Sequence, residues 1–345
     1  MKHYYSLLDA VRFFAAFWVM NFHYFLSADP VPQLHWYRFG NLGVQLFFII
    51  SGFVIVHSLK GKTLKEFATG RFWRLFPLFW VLCTVTYALT IFLPDVRYAL
   101  HFGDYIRTMT MLGDVFNGIT GPTALIDPSY WTLTVELIFY AGIALFVKAA
   151  GHRNIRYFLL AWLVVSATAF LFHVDENFYV KLLLVRHASY FVFGSALALI
   201  VGKEAVGRSE RLIDWSLLFT SALYATYIHT RSLPAYAIPN PNDAFVISLL
   251  HVGFFLCIPL LVYLSGYVTH ARILQVLAIL GGLTYPLYLL HQRIGNMMID
   301  LLTSISPVSW FTLVICFEIV IIGVAYFVYV YEKKMRSWIL KRMGS

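Results

Sequence analysis

Charged residues are scarce in this 345-residue chain, in which Asp, Glu, Lys and Arg together make up 12%. Soluble domains contain about 25% charged residues, so the scarcity excludes an ordinary soluble protein. Hydrophobic residues make up 60% of the chain, and its mean hydropathy is +0.73. The net charge of +9 does not indicate nucleic-acid binding, because the basic residues cluster in short loops. The composition predicts an all-α, polytopic membrane protein.

Cysteine is also rare, with Cys83, Cys257 and Cys316 all lying in apolar runs, so no disulfide framework is indicated. No histidine or cysteine pair has the spacing of a metal site, and we expect no metal. His57, His187 and His251 are expected to be interface residues. A convincing internal repeat, common in secondary transporters, is also missing.

Ten hydrophobic runs approach the length of ~20 residues that crosses a bilayer as a helix. The fifth and sixth are the weakest, since one is short and the other begins near Arg186 and His187. We expect one membrane domain over residues 1–345, with ten transmembrane helices around a central cavity. The predicted spans are 7–27, 39–58, 72–93, 130–148, 157–173, 184–201, 213–230, 245–264, 273–291 and 309–331.

The loop charges support this count. Eighteen Lys and Arg residues fall in loops on one predicted side and seven on the other, while Arg12 lies within a span. Since cytoplasmic loops are enriched in Lys and Arg, this asymmetry predicts that both termini are cytoplasmic in a multi-pass protein of the plasma (inner) membrane.

The first predicted span contains three ionisable side chains, Asp9, Arg12 and His23. Eleven residues separate Arg12 from His23, which places them on one helix face ~16 Å apart along the axis. Asp9 lies one turn before Arg12, where an ion pair can form. Such groups are costly inside a membrane, so they should face other helices or water. Either Arg12 and His23 mark a path across the membrane, or Asp9 and Arg12 lie near its surface and only orient the helix.

Two arginines follow the second span. Arg71 and Arg74 are three residues apart at the predicted start of the third span, on its cytoplasmic side. Paired guanidinium groups at a helix start suit phosphate, although positive-inside anchoring explains them equally well. In the second span, Gln45 is a polar group that could line a cavity and Ser51 lies near mid-membrane, whereas the neighbouring glycines are expected to serve close packing.

A long external loop, Pro94 to Ser129, leads into the fourth span and is expected to include a short helix near Tyr105–Leu112. Beyond Tyr130 and Trp131, Glu136 lies in the outer half of the span, at a depth similar to that of His23. A Glu136–His23 contact would orient the imidazole, and a structural bond to a neighbouring helix is the alternative. His291, at the outer end of the ninth span, either lines an outer cavity or lies at the interface.

A set of short motifs extends over nearly the whole chain. They are Leu8-Asp9 with Arg12 and His23; Gly43-Val44 to Phe47-Phe48; Ser51-Gly52-Phe53; Arg71 with Arg74; Trp131 with Glu136 and Phe139-Tyr140; Phe193-Gly194; and Tyr285-Pro286-Leu287-Tyr288 with His291. Together, and in this order, they resemble the acyltransferase 3 family of membrane enzymes, which O-acylate sugars and other extracytoplasmic acceptors. The resemblance covers the membrane domain, which some relatives extend with a hydrolase-like domain. Where many relatives have serine after the tryptophan, this chain has Thr132.

The resemblance implies a ten-helix core, a cytoplasmic acyl-CoA donor, expected to be acetyl-CoA, and His23 as the catalytic residue. The acceptor is then an extracytoplasmic hydroxyl on a sugar, polysaccharide, glycolipid or small metabolite. Membrane lipid is a further expected partner, and nucleic acid is not expected to bind. Arg71 and Arg74 would hold the CoA phosphates, and Arg12 would line the pantetheine path. His23 would act as general base or transient acyl carrier.

The prediction also assigns roles to Glu136 and to three candidate hydrogen-bond donors, and it includes one alternative function. Glu136 would orient or charge-balance His23, and Ser51, Gln45 and Tyr130 are candidate donors to the tetrahedral oxyanion. The alternative function is a proton-coupled secondary transporter, since buried His, Arg and Glu also suit proton-coupled export.

Overall fold

The structure is a computed structural model that describes residues 5–26, 32–93, 100–120, 124–202, 206–231 and 242–342. This part of the chain contains helices and no strand, which confirms the predicted all-α class. A 3-10 helix, Pro32–Leu42, precedes the second α-helix. The α-helices are α1 Ser6–Leu26, α2 Gly43–Leu59, α3 Leu64–Phe92, α4 Phe102–Met109, α5 Gly113–Thr120, α6 Trp131–Ala150, α7 Ile155–Leu171, α8 Phe178–Lys181, α9 Ala188–Val201, α10 Arg208–Arg231, α11 Asp243–Leu264, α12 Ala271–Leu290, α13 Arg293–Ile305 and α14 Trp310–Arg342.

Each of the ten predicted spans coincides with one of these helices. Within the described residues, seven helical segments are long and apolar enough to cross a membrane. The remaining three predicted spans are α1 and α10, which carry several polar side chains, and α9, which is apolar but has 14 residues. The count of ten, the central cavity and the side on which the termini lie stay predictions.

Helix α3 begins earlier than the sequence analysis predicts. It starts at Leu64, because Thr63 and Glu66 form a reciprocal cap: the backbone N–H of Thr63 donates to the Glu66 carboxylate (2.8 Å) and the Thr63 hydroxyl accepts from the Glu66 N–H (3.2 Å). Arg71 and Arg74 therefore lie about two and three turns inside the helix. The prediction that they stand at a helix start, where the dipole favours phosphate, is wrong.

The chain folds into two compact units. The first contains residues 1–8, 42–71 and 132–267, and the second contains residues 9–41, 72–131 and 268–345. The prediction of a single domain over residues 1–345 stays a prediction.

In the first unit, α2 and α9 pack backbone against backbone. A Cβ on Gly52 would overlap the carbonyl oxygen of Phe191, and a Cβ on Gly194 would overlap that of Ile49. The hydroxyl of Ser195 adds a hydrogen bond to the Gly52 carbonyl (3.3 Å). This contact confirms the packing role predicted for Gly52 in α2.

An ionic cluster connects α7 with α10 in the same unit. The Arg156 side chain is 1% exposed and binds both Asp214 and Glu210 at 2.9 Å. The more exposed Arg153 shares the Glu210 carboxylate at 2.9 Å. The Arg153 hydrogen bond, supported by the Gly207 N–H, lowers the pKa of Glu210 to about 2. The carboxylates neutralise the buried arginine, as burial of a charge requires.

In the second unit, α12, α13 and α14 pack in sequence order, with α12 and α13 each lying against α14. On α1, the backbone of Trp18 lies against Gly40 of the 3-10 helix, where a Cβ would overlap the Trp18 carbonyl oxygen. Helices α4 and α5 occupy the long predicted loop, and α4 (Phe102–Met109) confirms the short helix expected there.

Candidate functional site

Two histidines of the second unit lie side by side. His23, in the last turn of α1, and His291, which follows α12, have ring centroids 5.3 Å apart with an angle of 42° between the rings. His291 is fully buried and His23 is half-buried. The sequence analysis placed both residues at the outer side, and the structure brings their rings into contact.

The hydrogen bonding of His291 fixes its proton. Its Nδ1 lies 2.7 Å from the carbonyl oxygen of Tyr288, which only accepts, so Nδ1 carries the hydrogen. In the neutral ring Nε2 then has a lone pair. Within the described part of the chain, this buried Nε2 has no hydrogen-bond partner. His291 therefore offers a basic nitrogen beside His23.

A buried turn holds the segment that carries His291. The Asp127 carboxylate accepts from the N–H of Arg293 (2.7 Å) and from the N–H of Ser129 (2.8 Å). The Tyr130 hydroxyl donates to the Leu289 carbonyl (3.0 Å), and the Tyr288 hydroxyl donates to the Ser129 carbonyl (2.8 Å). Because these bonds flank His291 on both sides, they fix its position.

Sequence reasoning missed this turn, since Asp127 and Arg293 are separated by 166 residues. The local signal was Asp127-Pro128-Ser129, in which aspartate caps the 3-10 helix that begins at proline. The Tyr130 hydroxyl, predicted as an oxyanion donor, is committed to Leu289 in this structure. Its catalytic role stays a prediction.

Asp9 lies against the backbone of α12. A Cβ built on Gly281 would be 2.5 Å from Cγ of Asp9, so only glycine leaves room for the carboxylate. Asp9 and Arg12 are both half-buried, and each has interaction partners. The close approach places the Asp9 carboxylate beside α12, while the predicted Asp9–Arg12 ion pair and the predicted role of Arg12 in a path stay predictions.

The first unit gathers several other predicted residues around Tyr140. The Tyr140 hydroxyl donates to the Glu136 carboxylate (2.7 Å), and the Ser51 hydroxyl lies 3.0 Å from the Tyr140 hydroxyl oxygen. Since Tyr140 has one hydrogen to donate, Ser51 is the donor in the second bond. Arg71 places its guanidinium 5.7 Å from the centre of the Tyr140 ring and donates to the Ser58 hydroxyl (2.9 Å).

Tyr140 is thus the common neighbour of three predicted site residues, and the site prediction did not include it. The available signal was its position one turn after Glu136 on α6, where side chains four residues apart meet. Glu136 has Tyr140 as its partner in this unit, whereas His23 belongs to the other unit. The predicted Glu136–His23 contact stays a prediction.

The remaining predicted residues are less informative. Gln45 on α2 and Trp131 at the start of α6 are half-buried and have contacts. Arg74 is half-buried on α3. No group of three or more His, Cys, Asp or Glu side chains suited to a metal occurs in the ranges that the structure describes.

The fold and these clusters define a helical membrane protein with histidine, arginine and carboxylate side chains held among apolar helices. Residues 5–330 match the acyltransferase domain family, acyltransferase 3. The chain belongs to the acyltransferase 3 family and is a membrane acyltransferase, which confirms the resemblance.

Three curated relatives are similar to parts of the chain. Nodulation protein 10 of Rhizobium leguminosarum bv. viciae is 25% identical over 70% of this chain and 72% of its own length. The peptidoglycan O-acetyltransferase OatA of Listeria monocytogenes is 27% identical over 40% of this chain and 23% of its own length. Protein 2 in the picA locus of Rhizobium radiobacter is 32% identical over 38% of this chain and 68% of its own length. No solved structure matches significantly.

Proposed function

We propose that the protein transfers an acyl group, acetyl in the simplest case, from cytoplasmic acyl-CoA to a hydroxyl of an extracytoplasmic sugar or glycoconjugate. The observation that carries the proposal is the contact between His23 and His291 in a chain of the acyltransferase 3 family. Two adjacent imidazoles supply the proton acceptor and donor that acyl transfer between oxygen and sulfur requires.

The transfer balances with these side chains. In the direct route, His23 takes the proton of the acceptor hydroxyl while the hydroxyl oxygen attacks the thioester carbonyl. The C–O bond forms, the tetrahedral oxyanion collapses and the C–S bond breaks. The CoA sulfur leaves as a thiolate and takes the proton from the His23 imidazolium. The free Nε2 of His291 adds a second base at the same place.

The alternative route makes His23 a transient acyl carrier. Its unprotonated ring nitrogen attacks the thioester carbonyl, a C–N bond forms and the C–S bond breaks. The CoA thiolate takes the proton from the other ring nitrogen of His23 and leaves as the thiol. His23 is then acylated and cannot take the proton of the acceptor hydroxyl. The lone pair on Nε2 of His291 is the base within reach of the His23 ring. In this route, the hydroxyl oxygen attacks the acyl-imidazole and the hydroxyl proton passes to His291. The C–O bond forms, the C–N bond breaks, and the leaving His23 imidazolate takes the proton back from His291.

The donor is proposed to bind at the predicted cytoplasmic side through Arg71 and Arg74, whose guanidinium groups suit the phosphates of CoA. Arg71 is also held by Ser58 and by the Tyr140 ring, so its position is defined before a donor binds. Arg12 and Asp9 are proposed to line the pantetheine path towards His23. The carbohydrate acceptor is proposed by analogy with the relative named as a peptidoglycan O-acetyltransferase.

The experiment that tests the proposal is CoA-thiol release by the purified full chain in lipid nanodiscs. Acetyl-CoA is supplied with saccharide acceptors, and the acylated saccharide is identified by mass spectrometry. Acceptor-dependent release with a matching mass increase is expected. Failure with every saccharide, alongside acceptor export driven by a proton gradient in vesicles, would instead favour a transporter.

A further inference from the structure

A second polar cluster lies in the same unit as the histidine pair. Its members are Gln292 before α13, Asn296 on α13 and Glu318 on α14. In the described residues, Oε1 of Gln292, Oδ1 of Asn296 and Oε1 of Glu318 are buried and have no hydrogen-bond partner. Glu318 is 5% exposed. The site described above uses none of these three residues.

Tyr24 connects the members of the cluster. It follows His23 on α1 and is fully buried. A Cβ on Gly295 would overlap the Tyr24 side chain, so this turn of α13 lies directly against it. The Phe317 ring is 6.1 Å from the Tyr24 ring, and the adjacent Glu318 carboxylate interacts electrostatically with Tyr24. Both elements that carry the unpaired oxygens therefore lie against the residue next to His23.

Unpaired buried polar atoms are costly, and a carboxylate inside a membrane helix is more costly still. The Glu318 carboxylate accepts hydrogen bonds, so its missing partner is a donor. The unpaired amide oxygens of Gln292 and Asn296 likewise accept hydrogen bonds. A hydroxyl group both donates and accepts, so several hydroxyls on one molecule satisfy all three residues.

We propose that Gln292, Asn296 and Glu318 bind hydroxyl groups of the acceptor, which is a polyhydroxylated molecule of the carbohydrate class. This inference rests on the proposed function, because it assigns the cluster to the acceptor of the same transfer. Binding here holds a substrate beside α1, one residue from His23, so that another of its hydroxyls reaches the imidazole. The three residues are positioning residues, and they take no part in the proton transfer.

The test measures saccharide binding separately from transfer. A trisaccharide of N-acetylglucosamine is titrated against the full chain in nanodiscs without acyl-CoA, and its Kd is compared between wild type and variants. Glu318→Ala is expected to raise the Kd about 10- to 100-fold, as loss of a hydrogen bond to a charged group does. Glu318→Gln, which keeps an acceptor oxygen and the side-chain shape, is expected to raise it less. Ser304→Ala, at an exposed position on α13, is the matched control and leaves the Kd unchanged.

Transfer assays separate this inference from the proposed function. In transfer to the trisaccharide, Glu318→Gln and Asn296→Leu should raise the KM for the trisaccharide and leave the KM for acetyl-CoA near the wild-type value, while Ser304→Ala should change neither KM. The inference is overturned if all three variants, Glu318→Gln, Glu318→Ala and Asn296→Leu, bind the trisaccharide with the wild-type Kd. That result would show that water satisfies the cluster. Tighter binding of the corresponding amino sugar than of the hydroxyl sugar would also overturn it. Failure of CoA release with binding changes intact would overturn the proposed function alone.

Discussion

The hydroxyl of Tyr140 donates a 2.7 Å hydrogen bond to the carboxylate of Glu136, one turn earlier on α6. The Tyr140 hydroxyl oxygen also lies 3.0 Å from the Ser51 hydroxyl, and the Arg71 guanidinium lies over the Tyr140 ring. A predicted phosphate ligand and a predicted catalytic carboxylate therefore share one neighbour. The hydrogen bond couples Tyr140 to Glu136 within one compact unit.

Removal of the Tyr140 hydroxyl tests this coupling. Tyr140→Phe keeps the ring beneath Arg71 and removes the bond to a carboxylate, which is expected to cost about 1.5–3 kcal/mol in unfolding free energy. In a double-mutant cycle with Glu136→Gln, the two effects should be non-additive because the residues are in contact. Tyr179→Phe, at a position 76% exposed, is the control. Additive effects would show that the bond contributes nothing.

The donor site is tested best at Arg74. Arg71→Ala also removes the contacts with Ser58 and Tyr140, so its effect mixes binding with stability. Arg74→Ala should raise the KM for acyl-CoA about 10- to 150-fold, the equivalent of about 1.5–3 kcal/mol for a charge-assisted bond. Arg74→Lys should recover part of the loss, since it lacks the guanidinium fork.

Lys65→Ala provides the matched control for Arg74, because it removes a positive charge from an exposed position on the same helix. Its KM for acyl-CoA should stay near the wild-type value. An equal rise in the Lys65 and Arg74 variants would indicate general electrostatic attraction and reject a specific phosphate contact.

The base nitrogen of His291 is tested by His291→Asn. Asparagine can keep a donor near the position of Nδ1, towards the Tyr288 carbonyl, and removes Nε2. General base catalysis contributes about 10²–10⁴-fold, so kcat per folded molecule should fall within that range at unchanged acyl-CoA affinity. His251→Asn is the control, since both nitrogens of this buried histidine are hydrogen-bonded. A His291→Asn kcat within about threefold of wild type would exclude the base role.

Gly281→Ala tests the close approach of Asp9 to α12. The added Cβ would lie 2.5 Å from Cγ of Asp9 and must displace the carboxylate. Overpacking of this kind costs about 1–3 kcal/mol, and we expect a lower unfolding temperature together with slower acyl transfer. Gly253→Ala on α11 has no atom within 4 Å of the new Cβ and is the control. Equal stability of the two variants would show that Asp9 moves freely.

The hydrophobic runs were sufficient to predict helices at all ten proposed spans, because long apolar segments in lipid must satisfy their backbone internally. The early start of α3 has a local signal too, the Thr63 and Glu66 capping pair, but the basic residues around this pair favour a loop. The local cap is specific, and it extends a membrane helix into a charged segment.

The candidate site can be predicted only in part from the sequence. His23 and His291 were both singled out, yet nothing local indicates that their rings touch, since 268 positions separate them. The Asp127–Arg293 bond is likewise a product of tertiary packing. Tyr140 carried a local signal, its spacing from Glu136, but a tyrosine in an apolar helix usually serves packing.

The most direct measurement is acyl transfer by His23→Ala. Acetyl-CoA binding is measured by calorimetry, and CoA-thiol release with a saccharide acceptor is measured on the same nanodisc preparation. The account predicts that turnover is lost, by more than about 10⁴-fold if His23 carries the acyl group and by about 10²–10⁴-fold if it acts only as a base, while acetyl-CoA still binds. Near-normal turnover by His23→Ala would contradict the account and remove His23 from the mechanism.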